Sequence, residues 1–454
     1  MPVETVAGRL ARWVTRLKYE DLSPEVVLHA KRCLLDTLGV QIRGATLPWI
    51  QPVYRYVRTL GGDDATITYH GDRASAPYAA YANSTFSYSC ELQHHGSFGS
   101  AHTGVIVVPV VQALGEKLGC SGKDIIAAMV AGYEVQGRLG AALFKAVFKR
   151  HFHPQGIFGA FSAAAAAGKL LGLDEEQQAH AFAIAGSHAS CILEYDQAGG
   201  EVKRIHGAIG LRGGMQAAFM AKEGLTGPLS VFEGQRGIFA SFGGGEVDAE
   251  SLLTDIGEPD CITQCRFRIY PTIGSCHNAL DIVNDLMRDQ PFDYRDVEKI
   301  RVGMRELSVM HVTSISRPHD VISAQASLGY SLGVLLVKGS NDLDLYIDPA
   351  LWRDPQVLSV ADKLEAYTLT VDDQPRATRV EILLKGGRVL VGQQEDARGS
   401  PALPYTQAEI ETKFRRLANV LLPSEQTARV LQQVSVFEQL SSIATLTPLL
   451  RKTS

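Results

Sequence analysis

The chain has 454 residues, 45% hydrophobic and 20% charged, a globular balance that excludes a disulfide mini-protein and suggests neither a disordered polymer nor a membrane protein. Forty-four Lys and Arg against 49 Asp and Glu leave a net charge of −5, so there is no general cationic field for a polyphosphate, and nucleic-acid binding is not expected. Seven Cys, at 33, 90, 120, 191, 261, 265 and 276, are scattered as reduced thiols of a cytoplasmic protein would be. Cys261 and Cys265 lack a second pair at zinc spacing, so no metal or iron–sulfur centre is expected there.

The first residues mix Arg and Lys with Glu and Asp in a helical pattern and lack the apolar run of a signal peptide. From there to about residue 265 apolar residues recur at helical spacing, as in EVVLHAKRCLLDTLGVQIRG, GVIVVPVVQALGEKLG and GKDIIAAMVAGYEVQGRLGAALFKAVF. The run from Gly156, GIFGAFSAAAAAGKLLGL, contains Lys169 and is bounded by His153-Pro154 and Asp174-Glu175-Glu176, so it reads as a buried helix and not a membrane span. Its small residues, Ala163 to Gly168 above all, let neighbouring helices approach closely.

Near residue 266 the pattern changes. RDVEKIRVGMRE, DKLEAYTLTVDD and TRVEILLKGGRVLVGQQE alternate with β-branched residues, and Lys385-Gly386-Gly387 marks a hairpin, while LDIVNDLMRD and QASLGYSLGVLLVKG stay helical. After Ser400-Pro401 and Leu403-Pro404 two further helices follow, TQAEIETKFRRLANVLL and SEQTARVLQQVSVFEQL, each read as opened by a Thr or Ser cap. The expected fold is mainly α: a large all-helical domain from both chain ends (1–265 and 403–454) and a smaller α+β lid domain (266–402). No repeat and no low-complexity tail interrupts this plan.

No dinucleotide fingerprint follows an expected strand, and Gly243-Gly244-Gly245 lacks the Lys-Ser/Thr of a phosphate loop. There is no G-x-S-x-G and no H-E-x-x-H, which removes two hydrolase chemistries. What stands out is histidine in polar, Gly-rich turns: His94-His95-Gly96, His102-Thr103-Gly104, His151-Phe152-His153-Pro154 and Lys203-Arg204-Ile205-His206-Gly207. Helix starts among these offer unpaired N–H groups, and with a Lys they suit a small polycarboxylate beside an imidazole that moves a proton. His94 and His95 with Glu91 and His102 also have the donor types of a zinc or iron site. Arg266-Phe-Arg268-Ile-Tyr270-Pro271 lies at the junction of the two domains, where a cation could close on an anion. Ser316-Arg317-Pro318-His319 is a second basic spot, and Cys276-His277 reads as a core feature.

The segments Cys33-LLDTLGV, Ala101-His102-Thr103-Gly104, His151-FHPQGIFGAFSAAAAAGKLLGL, Lys203-RIHGAIGLRGGMQAAFMAKEGLTGPLSVFEGQRGIF and KFRRLANVLL resemble the MmgE/PrpD family. That family includes 2-methylcitrate dehydratase, cis-aconitate decarboxylase and iminodisuccinate epimerase. The resemblance implies a homodimer that works without metal, iron–sulfur cluster or nucleotide. It assigns His102, His153 and Lys203 to family motif positions, and Arg268 to a basic residue before an aromatic-Pro pair, here Tyr270-Pro271. Departures are visible too. Where many members read Asp-Phe-Asp-Asp-Thr, this chain reads Glu91-Leu92-Gln93-His94-His95; positions that carry His and Tyr in the decarboxylases hold Ile273 and Ser314, and Phe148 replaces a Tyr of the epimerases.

The expected activity is therefore a cofactor-independent, 2-methylcitrate dehydratase-like lyase acting on a small di- or tricarboxylate by α-proton abstraction and β-elimination. Decarboxylation, epimerisation and non-catalytic polycarboxylate binding by a homodimer are the alternatives. His102 or His153 would be the base, Glu91 or His94 the acid, and Lys203 and Arg268 the cations that hold a developing dianion. His95, His206, Tyr270 and Arg317 complete the expected binding residues. Neither a nucleic acid nor a membrane is expected as a partner.

Overall fold

The computed structural model describes residues 4–96, 102–244, 247–258, 260–369 and 377–453. Ala101, Gly245 and the 370–373 end of an expected strand lie outside them. The chain forms two compact units, one of residues 1–266 with 406–454 and the other of residues 267–405.

The first unit is built from helices whose ends follow local chemistry. Ser23 Oγ accepts from Val26 N–H and Pro24 opens the Pro24–Gly44 helix. Ser121 and Asp124 cap each other's backbone at the start of Gly122–Lys149. The Ala-rich segment forms the Pro154–Leu171 helix, buried continuously from Pro154 to Gly168 and closed by Gly172 at φ +66°. It packs on the His206–Lys222 helix, where a side chain at Gly214 would meet the Ala160 carbonyl oxygen at 2.1 Å. No described helix is long and apolar enough to cross a membrane.

Two local expectations need correction. The unit is not wholly helical, because β1 (Ala65–Thr66) and β2 (Arg73–Ala74) pair antiparallel. The cap at the last long helix is also different. Thr406 does cap Gln407–Ala418 together with Glu409, but Ser424 is the first helical residue of Ser424–Ser435 and Pro423 occupies the cap position without a side-chain bond. Proline's fixed φ sets the entry there, so no hydroxyl is used.

The second unit carries a four-stranded sheet of β3 (Val297–Met304), β4 (Leu364–Thr368), β5 (Thr378–Leu384) and β6 (Val389–Gln394), in the order β4-β3-β5-β6. β3 and β4 run parallel with Ile300 opposite Leu364, which requires the long crossover that the intervening helices supply. β5 alternates buried and partly buried residues, and its hairpin to β6 turns at Gly386 and Gly387, both at φ +84°. Leu280 and Val283 of the His277–Asp289 helix and Leu332 of Leu328–Lys338 pack with Ile300, Val302, Val380 and Ile382 into one core. Cys276 is wholly buried there, and burial pushes its thiol up to about 12.

Gly214→Ala places a methyl against main chain that has no rotamer to yield. We expect a loss of about 2 kcal/mol in urea unfolding, whereas Gly119→Ala, at a helix end with open space around it, should cost less through its φ of +70° alone.

Candidate active site

Three histidines sit at helix starts of the first unit. His153 is the cap residue before Pro154, His206 opens His206–Lys222, and His102 lies just before the Gly104–Leu118 helix. Lys203 belongs to the short 3-10 turn Glu201–Ile205 that leads into His206. Gln155, in the first turn after His153, holds His102 from both sides: its Oε1 accepts from His102 N–H at 2.9 Å, and its Nε2 donates to the His102 carbonyl at 2.7 Å. One helix start thus positions two of the histidines.

The His102 ring is oriented by a carbonyl. Its Nδ1 lies 3.1 Å from the His94 carbonyl oxygen, which can only accept, so the neutral ring carries its proton on Nδ1 and its lone pair on Nε2. The His95 ring packs beside it at 4.4 Å, and the His95 main chain pairs with Arg266 in both directions.

His153 and His206 form a dyad with their Nδ1 atoms 2.8 Å apart. Burial, and then the neighbouring His206 and Lys203, hold His153 well below the usual imidazole range. Burial and Lys203 push His206 down to about 4. Both rings are therefore neutral near pH 7 and share one N–H···N bond. The donor ring has its lone pair on Nε2 and the acceptor ring has an Nε2–H. The pair presents one basic Nε2 and one Nε2–H, and a proton arriving on the first while the shared proton crosses and the second Nε2–H departs exchanges the roles.

Lys203 Nζ lies 2.5 Å from Glu91 Oε1 and 5.9 Å from the centre of the Tyr88 ring. Glu91 is buried and adopts φ +55°, an unusual conformation for a residue with a side chain. Tyr88 lies 5.2 Å from the His102 ring and 6.4 Å from the His153 ring, while Tyr195 meets His153 and His206 edge-on at 5.4 Å each. The structure thus gathers Glu91, His95, His102, His153, Lys203 and His206 into one cluster walled by Tyr88 and Tyr195.

His94 is not part of this cluster. His94 turns into a wholly buried network: Nδ1 bonds Asp36 Oδ2 at 2.8 Å, and Nε2 bonds the Tyr133 hydroxyl at 2.8 Å. Burial disfavours its charge, but Cys33 and Asp36 outweigh this and raise it to about 9. Asp36 also accepts from Lys413 Nζ at 2.5 Å, and with the His94 ring this holds its carboxyl low despite burial. Arg268, Tyr270 and Arg317 belong to the second unit. Arg268 is buried, Tyr270 donates its hydroxyl to Asp281 and accepts from Asn284, and Arg317 is exposed and paired with Asp362.

Sequence reading passed over Tyr88, Gln155 and Tyr195 as site residues, along with Asp36 and Lys413 behind the site. Gln155 had a signal in its position next to His153-Pro154, and Asp36 in being an acid inside an apolar helical run. Lys413 opens the KFRRLANVLL segment, but nothing in the sequence pairs it with Asp36, 377 positions away.

Residues 8–250 match the MmgE/PrpD N-terminal domain and residues 270–439 the MmgE/PrpD C-terminal domain. The chain belongs to the MmgE/PrpD family. Among curated relatives it is 27% identical to "Cis-aconitate decarboxylase-like protein oryM" of Aspergillus oryzae over 99% of this chain and 98% of that protein. It is 26% identical to cis-aconitate decarboxylase of Aspergillus terreus, over 98% of this chain and 96% of that protein. The human cis-aconitate decarboxylase is likewise 26% identical, over 99% of this chain and 95% of that protein.

Lys413→Met strands the buried Asp36 charge, and we expect a loss of about 3–5 kcal/mol in chemical denaturation. His206 gives a pH signature. Its folded value near 4 lies below the ordinary 6.5, so between these values the unfolded chain binds more protons and stability falls as pH drops. Unfolding series from pH 7 to 4.5 should show His206→Gln losing less than the parent protein, by roughly 1 kcal/mol per pH unit within that window.

Proposed function

We propose that this chain is a lyase acting on a small di- or tricarboxylate through a carbanion, with decarboxylation of a cis-aconitate-like substrate as its reaction. The observation that carries the reading is the neutral His153–His206 dyad beside Lys203 and His102. In such a reaction the bond to the departing carboxylate breaks, carbon dioxide leaves, and the electron pair stays on the substrate, spread over a remaining carboxylate or alkene. A fixed cation such as Lys203 lowers the energy of that charge. The carbanion then takes one proton from an imidazole N–H, and the dyad regains it from solvent. Two neutral rings in a site with a cation suit this task, because neither adds charge in the resting state and either can carry a proton.

Full-length similarity to proteins named cis-aconitate decarboxylase favours loss of carbon dioxide over loss of water. The β-elimination read from sequence remains the second reading on one observation: the dyad pairs an imidazole lone pair, which could take the α-proton, with an N–H that could protonate a leaving hydroxyl.

Proton NMR in D₂O against cis-aconitate, 2-methylcitrate, citrate and citramalate separates these outcomes. We expect carbon dioxide release with one deuterium incorporated at carbon. Conversion of 2-methylcitrate or citrate by loss of water, without carbon dioxide, would replace decarboxylation by elimination, and no turnover of any of them would overturn the reading. His102→Ala, His153→Ala and Lys203→Ala should each lower kcat/KM by at least about 100-fold on the turned-over substrate.

A further inference from the structure

Behind the histidine cluster, three metal-binding side chains converge that the proposed chemistry does not use. Cys33 of the Pro24–Gly44 helix, Cys265 and His94 are all buried, and one potential ligand atom of each lies within 4.8 Å of the others. Asp36 takes the His94 Nδ1 side, which leaves Nε2 as the coordinating nitrogen. A carboxylate on the far nitrogen is the usual support of a metal-bound imidazole. Nε2 lies 2.8 Å from the Tyr133 hydroxyl. One nitrogen and two sulfurs therefore lie together, with a phenol oxygen against the nitrogen.

We propose that Cys33, Cys265 and His94, with Tyr133 as fourth donor, form a buried structural zinc site. Zinc takes tetrahedral S and N ligands at about 2.3 and 2.0 Å, which places donors about 3.5–3.8 Å apart. The Cys33, His94 and Cys265 donors, all within 4.8 Å of one another, need to close by about 1 Å to reach that spacing. Two sulfurs and an imidazole favour zinc over magnesium, calcium or manganese, which prefer oxygen.

The ion would join three segments: the Pro24–Gly44 helix, residues 90–96 and residues 261–266. It would not touch the reacting groups. The His94 carbonyl orients His102, and Arg266, next to Cys265, pairs with the His95 main chain, so the zinc would hold the backbone behind the site. This role is independent of the reaction proposed above.

The test is metal content. Full-length protein expressed with zinc and purified without chelator should hold about one zinc per chain by elemental analysis. Cobalt-substituted protein should show a thiolate-to-cobalt charge-transfer band. Cys265→Ser should reduce zinc content at least 10-fold and abolish the band, while Cys120→Ser, outside the cluster, should retain both. Should Cys265→Ser fail to fold, the parent protein still decides the matter: on denaturation, zinc should be released together with two thiols that were protected from alkylation. Parent protein below about 0.1 zinc per chain after zinc-supplemented expression, undiminished zinc in folded Cys265→Ser, or a Cys33–Cys265 disulfide in a non-reducing peptide map would each overturn the site.

Discussion

A single buried carboxylate organises the first unit. Asp36 sits within an apolar helix, and an isolated charge there would be prohibitively costly, so its two oxygens must be met by strong partners. Lys413, from the Gln407–Ala418 helix near the other end of the chain, meets one oxygen; the ring and backbone N–H of His94 meet the other. Lys413 also donates to the Leu92 carbonyl at 2.6 Å. One charge thus ties together an early helix, the 90–96 segment and a late helix.

The histidine cluster depends on that tie. The His94 ring is locked by Asp36 and Tyr133, so its carbonyl is fixed in space, and that carbonyl decides which nitrogen of His102 bears the proton. Gln155 holds the same histidine from the opposite side while its neighbour His153 faces His206. The protonation states follow from position: burial and Lys203 keep the dyad neutral, whereas Cys33 and Asp36 keep His94 charged. Identical buried side chains take different protonation states because a cation stands beside the dyad and acidic groups stand beside His94. A family with several reactions on related acids can vary the outcome by exchanging residues around such a fixed proton-transfer core.

The second unit shows a different economy. Its sheet is stabilised by alternating burial on β5 and by two helices over one face, and Tyr270, expected from sequence among the substrate-binding residues, uses its hydroxyl to bind Asp281 and Asn284 within that fold. An aromatic-Pro pair near a cation looks the same in sequence whether its hydroxyl serves a ligand or a buried carboxylate. The partner, eleven residues along in a helix, decides which.

By itself the sequence determined whatever acts over a few residues. Ser23, Ser121 and Thr406 cap their helices, Lys385-Gly386-Gly387 turns the hairpin because only glycine adopts its positive φ freely, and the Ala-rich run from Gly156 makes a helix that another can approach closely. It also marked His102, His153, Lys203 and His206, since histidine in Gly-rich turns at helix starts is a local pattern. Only the tertiary structure decided which of these meet and in what charge state. The Lys413–Asp36 pair spans 377 residues, the His153–His206 dyad 53, and Cys33 reaches Cys265 from the far side of the first unit's sequence. No local rule links such positions, and a proton's affinity for a nitrogen depends on burial and neighbouring charge, which exist only once the chain has folded.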